Sequence, residues 1–155
     1  MTNKELMRVA INLSIENIKN GGGPFGAVIA KDGEIVATGV NRVTAKNDPT
    51  AHAEVSAIRE ACQKLGVFNL EGYEIFTSCE PCPMCLGAIY WARLSKMYYG
   101  NNKTDAADIG FDDSFIYDEI ALPLPKRRLS SEQLLSEEAL KAFRYWNETN
   151  DKIEY

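Results

Sequence analysis

The sequence predicts an α/β fold in which a mixed β-sheet lies between two layers of helices. The first observation is a β-hairpin signal, because two short apolar runs at residues 25–31 and 34–40 flank Asp32-Gly33, which favours a type I′ turn. The second is that strand-like and helix-like segments alternate after the hairpin. Parallel neighbouring strands need crossover helices, so both observations predict a three-layer α/β/α sandwich.

The first half of the chain begins with a helix. Residues 2–5 have the form of a capping box, and apolar residues follow at helical spacing until residues 20–23 end the pattern with three glycines. After the hairpin, the polar residues 41–51 predict a loop. A second helix then has an apolar face and ends at Gly66, which places His52 in its first turn.

The second half continues the alternation. Residues 73–78 predict a third strand that leads directly into a cluster of cysteines, and Pro83 suits the first turn of a helix that extends to about Arg93. Residues 96–100 predict a fourth strand, and residues 112–114 can cap a short helix. Two prolines interrupt the chain before a last helix, which is predicted to begin near residue 136.

Length and charge limit the possible functions. The 155 residues predict one domain, residues 1–155. The 17 Lys and Arg against 22 Asp and Glu give a net charge of -5, which disfavours a nucleic-acid partner. Residues 1–5 show no apolar leader and no apolar run reaches the roughly 20 residues of a membrane span. We therefore expect a cytoplasmic protein with no membrane contact.

The cysteines predict a metal site. Three of the four lie at Cys79, Cys82 and Cys85, a spacing that favours metal or redox chemistry over disulfides in the cytoplasm. In the first turn of a helix, Cys82 and Cys85 direct both sulfurs to one side, and the helix N-terminus favours their thiolates. With His52, the only histidine, they form a ligand set that leaves a fourth position for water, as in catalytic zinc sites.

A carboxylate near this site completes the hypothesis. Glu54 can accept a proton from metal-bound water and pass it on. Residues i and i+2 face different sides of a regular helix, so Glu54 and His52 reach one site only if His52 lies at an irregular helix start. Two alternatives stay open at this point: a closed zinc site with Cys79 or Glu80 as fourth ligand, and a fragment of an iron–sulfur site.

The two motifs together resemble a known superfamily. His52-Ala53-Glu54 followed thirty residues after the histidine by Cys82-Pro83-Met84-Cys85, with Pro81 before it, is similar to the signature of the cytidine/deoxycytidylate deaminases. The resemblance implies that His52, Cys82 and Cys85 bind one Zn²⁺ per subunit and that Glu54 shuttles protons, with Cys79 outside the ligand set. It also implies a mixed five-stranded sheet with helices on both faces.

Within the superfamily the chain is most similar to the bacterial guanine deaminases. The stretches that carry this similarity are residues 23–27, 47–52, 89–92, 110–115 and 154–155. The similarity implies hydrolysis of guanine at C2 to xanthine and ammonia, in purine metabolism.

The same similarity implies a set of substrate-binding residues. By position, Asn41 hydrogen-bonds the purine, Ala53 contacts it, Asp113 holds the amino group or assists proton transfer, and Tyr155 closes the site. Phe25 and Trp91 form its apolar wall. Four of these residues also have plain structural interpretations: Trp91 as core, Asn41 as a turn residue, Asp113 as an N-cap and Tyr155 as a frayed end.

The group resemblance also implies a partner. In that group the last helix and tail, here residues 130–155, are exchanged between two subunits, with residues 122–125 as a possible hinge. We therefore expect a homodimer. The alternatives in function are a tRNA adenosine deaminase, which the net charge of -5 disfavours, a cytosine deaminase, and a zinc-stabilised binding module without activity.

Overall fold

The computed structural model describes all 155 residues, and the chain divides into two compact units, Met1–Phe115 and Ile116–Tyr155. The boundary falls earlier than residue 130, where we expect the exchanged segment to begin. In chain order the elements are α1 (Asn3–Lys19), β1 (Gly26–Lys31), β2 (Glu34–Val40), α2 (Val43–Lys46), α3 (Ala53–Leu65), β3 (Glu74–Cys79), α4 (Pro83–Trp91), β4 (Lys96–Asn101), α5 (Lys103–Asp108), α6 (Ser114–Ala121), a 3₁₀ turn (Leu124–Lys126) and α7 (Ser136–Glu148).

The sheet is mixed, as predicted, but it has four strands in the order β2-β1-β3-β4. Strand β1 runs antiparallel to both β2 and β3, whereas β3 and β4 are parallel. The prediction of a fifth strand was wrong, because the chain forms helices after β4. The side chain of Asn102 accepts a hydrogen bond from the backbone of Asp105 and begins α5 at once, and Pro123 and Pro125 follow α6 without N–H groups to donate to a ladder.

Two local predictions are confirmed at the start of the chain. Thr2 Oγ1 accepts from the N–H of Glu5 at 3.3 Å, and Glu5 Oε2 accepts from the N–H of Thr2 at 2.7 Å, so the capping box is complete. Asp32 and Gly33 have φ angles of 51° and 79°, which is the conformation that a type I′ turn requires. The predicted loop at residues 41–51 instead contains the short helix α2.

Two cores on opposite faces of the sheet confirm the three layers. Successive residues of β1 alternate between them, because side chains along a strand point to opposite faces. Ala27 and Ile29 pack with α3 and α4, whereas Val28 and Ala30 pack with α1. Helix α1 therefore covers one face, and helices α3 and α4 cover the other.

The contact between β2 and α3 is unusually close. Gly39 of β2 faces α3 so tightly that a Cβ atom there would collide with the carbonyl oxygen of Ala53 and the backbone nitrogen of Ala57. Both alanines are fully buried. The helix can thus lie against the strand only because small residues occupy both surfaces. This contact limits where α3 can lie on the sheet.

The second unit has its own local bonds. The guanidinium of Arg127 donates to the carbonyl oxygens of Leu122 at 2.9 Å and Ile120 at 3.1 Å, which satisfies carbonyl groups at the end of α6. Helix α7 begins at Ser136, as predicted. No residue between Ile116 and Tyr155 is buried. None of the helices in either unit has both the length and the apolar character that spanning a bilayer demands.

Gly39→Ala is expected to destabilise the protein by about 2–3 kcal/mol, because the methyl group meets backbone atoms that cannot move independently of α3. Urea denaturation followed by circular dichroism measures this change. Gly87→Ala in α4 is the matched control, since a Cβ there meets nothing within 4 Å and Ala favours a helix by about 0.5–1 kcal/mol over Gly. Equal stability of the Gly39→Ala variant and the parent would show that α3 and β2 are not constrained by this contact.

Candidate metal centre and active site

His52 lies immediately before α3, with a backbone that is extended and not helical (φ -71°, ψ 161°). The irregular helix start that the sequence requires is therefore confirmed. Because the chain direction changes between His52 and the helix, the imidazole and the carboxyl group of Glu54 can face the same region. Both side chains line one cavity.

The cysteines are positioned by α4 in a similar way. Strand β3 ends at Cys79, and Cys82 occupies the N-cap of α4 in an extended conformation (φ -66°, ψ 168°), with Pro83 in the first turn. Cys85 is the third residue of this helix and is fully buried. The metal-binding loop thus joins the end of a central strand to a helix N-terminus.

The distances between the three donor atoms fit a tetrahedral ion. His52 Nδ1 lies 3.5 Å from the sulfur of Cys82 and 3.5 Å from the sulfur of Cys85, and all three donor atoms lie within 4.8 Å of one another. Bond lengths of about 2.3 Å to sulfur and about 2.0–2.1 Å to nitrogen at a tetrahedral angle place these atoms about 3.6 Å apart. The spacing of the three donor atoms therefore suits a tetrahedral metal ion.

The three donor groups exchange hydrogen bonds that shift one another's pKa. A hydrogen bond from Cys85, with help from His52, lowers the pKa of Cys82 against the effect of burial. The pKa of Cys85 is raised because it donates that hydrogen bond and because it is buried. Hydrogen bonding to Cys82 likewise raises the pKa of His52. A cation displaces the protons that these three groups otherwise share.

The two residues considered as a fourth ligand are engaged elsewhere. Cys79 Sγ lies 3.8 Å from the carbonyl oxygen of Asn102, and burial raises the pKa of this thiol to about 11. Glu80 Oε2 accepts from the N–H of Lys103 at 3.1 Å, and Oε1 lies 3.8 Å from its ammonium. The donor cluster contains only His52, Cys82 and Cys85, which leaves one tetrahedral position for water or substrate.

Glu54 is held beside this centre by a buried threonine. The Glu54 side chain is 6 % exposed, and its Oε1 accepts a hydrogen bond from Thr77 Oγ1 at 3.1 Å. The same hydroxyl lies 2.9 Å from the carbonyl oxygen of Cys79. Burial raises the pKa of Glu54. Since Thr77 lies on β3 and Glu54 on α3, the sheet itself orients the carboxyl group.

A cavity of about 470 Å³ opens beside the donor cluster, and every residue that lines it belongs to the first unit. Phe25 and Phe111 form one aromatic wall, with ring centres 5.0 Å apart and planes at 90°. Asn41 and Asp113 contribute the polar groups predicted from the sequence. A flat heterocycle with several hydrogen-bonding atoms matches this combination of aromatic and polar surfaces.

The sequence also allowed plain structural roles for two of these residues, Asn41 as a turn residue and Asp113 as an N-cap. Asn41 Oδ1 accepts from the N–H of Val43 at 3.2 Å, so the residue does stabilise a turn, but its amide nitrogen is left for the cavity. The N–H of Ser114, at the start of α6, donates to Asp112 Oδ1 at 2.9 Å. Asp113 instead lines the cavity, where burial raises its pKa.

Three other predicted site residues do not line the cavity. Trp91 lies at the end of α4, 66 % exposed, with the guanidinium of Arg93 over its ring. Ala53 is fully buried in the core between α3 and the sheet. Tyr155 belongs to the second unit and is 78 % exposed. Their proposed contacts with substrate remain predictions.

The sequence pattern missed two residues that shape the site. Phe111 completes the aromatic wall, and its position two residues before Asp113 was the available signal. Thr77 gave none, because a threonine inside a strand is typical of strands and says nothing about the residue opposite it.

Comparison with known proteins places this site in a family. The family model for the cytidine and deoxycytidylate deaminase zinc-binding region matches residues 1–101, which include the donor cluster and Glu54. Guanine deaminase of Bacillus subtilis (strain 168) is 52 % identical over 156 residues, covering 100 % of both chains. The X-ray structure of guanine deaminase from Bacillus subtilis superposes with a TM-score of 0.97, covering 100 % of this chain and 99 % of that one.

Two further relatives show how the similarity falls off. A guanine deaminase structure from Nitrosomonas europaea is 33 % identical with a TM-score of 0.70, covering 72 % of this chain and 65 % of that one. The tRNA-specific adenosine deaminase of Bacillus subtilis (strain 168) is 41 % identical over 101 residues, covering 64 % of this chain and 63 % of that one. His52, Cys82 and Cys85 form a group that could hold the zinc after which the matched region is named, and the chain belongs to the cytidine and deoxycytidylate deaminase family.

Proposed function

We propose that this chain is a zinc-dependent aminohydrolase that converts guanine and water to xanthine and ammonia in purine metabolism. The observation that carries the proposal is the full-length match to the Bacillus subtilis guanine deaminase, with 52 % identity over 100 % of both chains. The tRNA-specific deaminase of that organism matches only 64 % of this chain. Because both relatives are deaminases, the full-length extent of the match, rather than the zinc site alone, favours guanine as the substrate.

The zinc site provides the chemical starting point. When bound, zinc acts as a Lewis acid that lets a water molecule ionise near neutral pH. His52, Cys82 and Cys85 would hold the ion, and His52 and Cys82 also line the cavity that the proposed substrate enters.

Glu54 moves the protons that the hydrolysis requires. Addition of water to C2 releases a proton, and departure of the amine as ammonia consumes protons, so one carboxyl group next to both atoms can serve both steps. The raised pKa that burial gives Glu54 suits a group that must take up a proton and release it again. Xanthine and ammonia together contain all atoms of guanine and water.

Thr77 keeps Glu54 in place during this cycle. Its hydroxyl has one hydrogen and two neighbouring acceptors, Glu54 Oε1 at 3.1 Å and the carbonyl oxygen of Cys79 at 2.9 Å. It can donate to Glu54 while that group is ionised, and turn to Cys79 and accept from Glu54 once it is protonated. The carboxyl group therefore keeps a partner in both states.

The cavity residues orient the base. The rings of Phe25 and Phe111 supply apolar surface for the flat purine, and the Asn41 amide nitrogen donates to an acceptor on its edge. Asp113 faces the same space and accepts from the amino group of C2. These roles follow the resemblance on which they were predicted, with Phe111 added from the cavity.

The proposal is tested by measuring ammonia release from a panel of substrates. The panel contains guanine, adenine, cytosine, their nucleosides and a tRNA anticodon stem-loop containing adenosine. Guanine is expected to be turned over fastest, and Glu54→Gln is expected to reduce its turnover by at least about 10²-fold. The matched control is zinc content, which the Glu54→Gln variant should retain. If the stem-loop or cytosine is turned over faster than guanine, guanine is not the substrate. If the Glu54→Gln variant turns over guanine at the parent rate, Glu54 does not carry the protons.

The second part of the proposal is a homodimer that exchanges its C-terminal segment. None of the residues 116–155 is buried, although the segment contains many large apolar side chains. Those that are more than two-thirds exposed are Leu129, Leu134, Leu135, Phe143, Tyr145, Ile153 and Tyr155. A unit of this size without a core is not stable alone in water, and so much apolar surface favours an interface.

A second copy of the chain is the partner that we propose for this surface. The first unit also exposes large aromatic residues on one helix, with Tyr90 72 % and Trp91 66 % exposed. In the exchanged dimer Tyr155 of one subunit closes the cavity of the other. We also place the protein in the cytoplasm, where reducing conditions keep the two zinc-binding cysteines as thiols.

Mixing two inactive variants tests the exchange. Glu54→Gln removes the proton carrier but keeps the tail, and Tyr155→Ala keeps the proton carrier but loses the side chain predicted to close the site. When the two are refolded together, half of the dimers are mixed and one of their two sites is complete, so about a quarter of the parent activity returns. If no activity returns, each tail completes the site of its own subunit. If the Tyr155→Ala variant alone has full activity, Tyr155 is not part of the site.

A further inference from the structure

Asn17 of α1 is a buried polar residue that neither the zinc site nor the predicted substrate contacts use. Its side chain is 9 % exposed. Its amide nitrogen donates to the carbonyl oxygen of Gly23 at 2.8 Å and to that of Asn41 at 2.9 Å. Because a side-chain amide has two donor hydrogens and both acceptors are carbonyl groups, the orientation of this amide is unambiguous. Asn17 therefore ties the loop after α1 to the end of β2.

The chain around this amide is shaped to receive it. The N–H of Gly22 donates to the backbone carbonyl of Asn17 at 2.8 Å, and a Cβ atom at Gly22 would collide with the Asn17 side chain. The N–H of Asn41 donates to the carbonyl of Phe25 at 3.2 Å. A Cβ atom at Gly23 would lie 3.3 Å from Asn41 Oδ1, so the loop and the Asn41 side chain are already in close contact.

We propose that Asn17 is a positioning residue that holds Asn41, and with it the polar edge of the cavity, in the orientation that binds the base. The inference rests on the proposed function, in which the Asn41 amide donates to the purine. Asn41 Oδ1 is occupied by the N–H of Val43 at 3.2 Å, so the direction of its free nitrogen depends on where its backbone lies. The hydrogen bond from Asn17 fixes that backbone at its carbonyl group.

The alternative is that Asn17 only fastens α1 to the rest of the fold. The two roles differ in what a substitution changes. A positioning role alters substrate binding through Asn41 and leaves the zinc chemistry intact, which raises KM with little change in kcat. A purely structural role lowers thermal stability and affects every variant of the site alike.

Asn17→Asp tests the proposal because it keeps the size of the side chain but turns an oxygen towards two carbonyl oxygens. We expect KM for guanine to rise about tenfold or more, since two hydrogen bonds are lost, with kcat changed less than about twofold. Asn12→Asp is the matched control, because it makes the same charge change at an exposed position of α1 and should leave both constants unchanged. Zinc content confirms that each variant is loaded.

A double-mutant cycle with Asn41→Ala separates the two roles. If Asn17 acts through Asn41, Asn17→Asp raises KM by less than about twofold when Asn41 is already Ala. Multiplying effects in the double variant would overturn the proposal, as would a lower melting temperature for Asn17→Asp with KM unchanged.

Gly22→Ala gives a second route if Asn17→Asp does not fold. Gly22 has no positive φ, so the added methyl group is compatible with its backbone but displaces the Asn17 side chain. The same cycle with Asn41→Ala then applies. A parent enzyme that prefers another base contradicts the proposed function, and the cycle run with that base still decides whether residues 17 and 41 are coupled.

Discussion

The structure depends on the N-termini of α3 and α4, which meet at the donor cluster. His52 occupies the N-cap of α3 and Cys82 that of α4, and neither side chain caps its own helix with a hydrogen bond. Replacing a capping side chain usually costs about 1 kcal/mol, so each helix gives up some stability at this site. The N-termini of both helices, which carry partial positive charge, meet at the donor cluster.

The rest of the first unit holds these helix starts at a fixed distance. Gly39 and the fully buried Ala57 let α3 lie directly on β2, and β3 carries both Thr77 and the chain that continues to Cys82. His52, Cys82 and Glu54 are therefore positioned by how α3 and α4 pack against the sheet. Phe25, Asn41 and Asp113, the proposed substrate contacts, lie outside the helices and strands.

The sequence predicts best what depends on neighbouring residues. The capping box at Thr2 and the turn at Asp32-Gly33 have local signatures, and the structure confirms both of them. The structure also brings His52 to Cys82 and Cys85 across thirty residues, as the residue types predicted. The fifth strand did not appear, because whether a segment pairs depends on a distant sheet edge as well as on its own residues. Thr77 was missed for the same reason, since its contact with Glu54 exists only once β3 and α3 are brought together.

X-ray absorption at the zinc edge tests the central claim most directly, namely that three side chains hold the ion and one position stays available for water. The zinc-loaded protein is expected to show two sulfur neighbours at about 2.3 Å and two nitrogen or oxygen neighbours at about 2.0–2.1 Å. A third sulfur would mean that Cys79 closes the site, and no position would then remain for the water that hydrolysis requires.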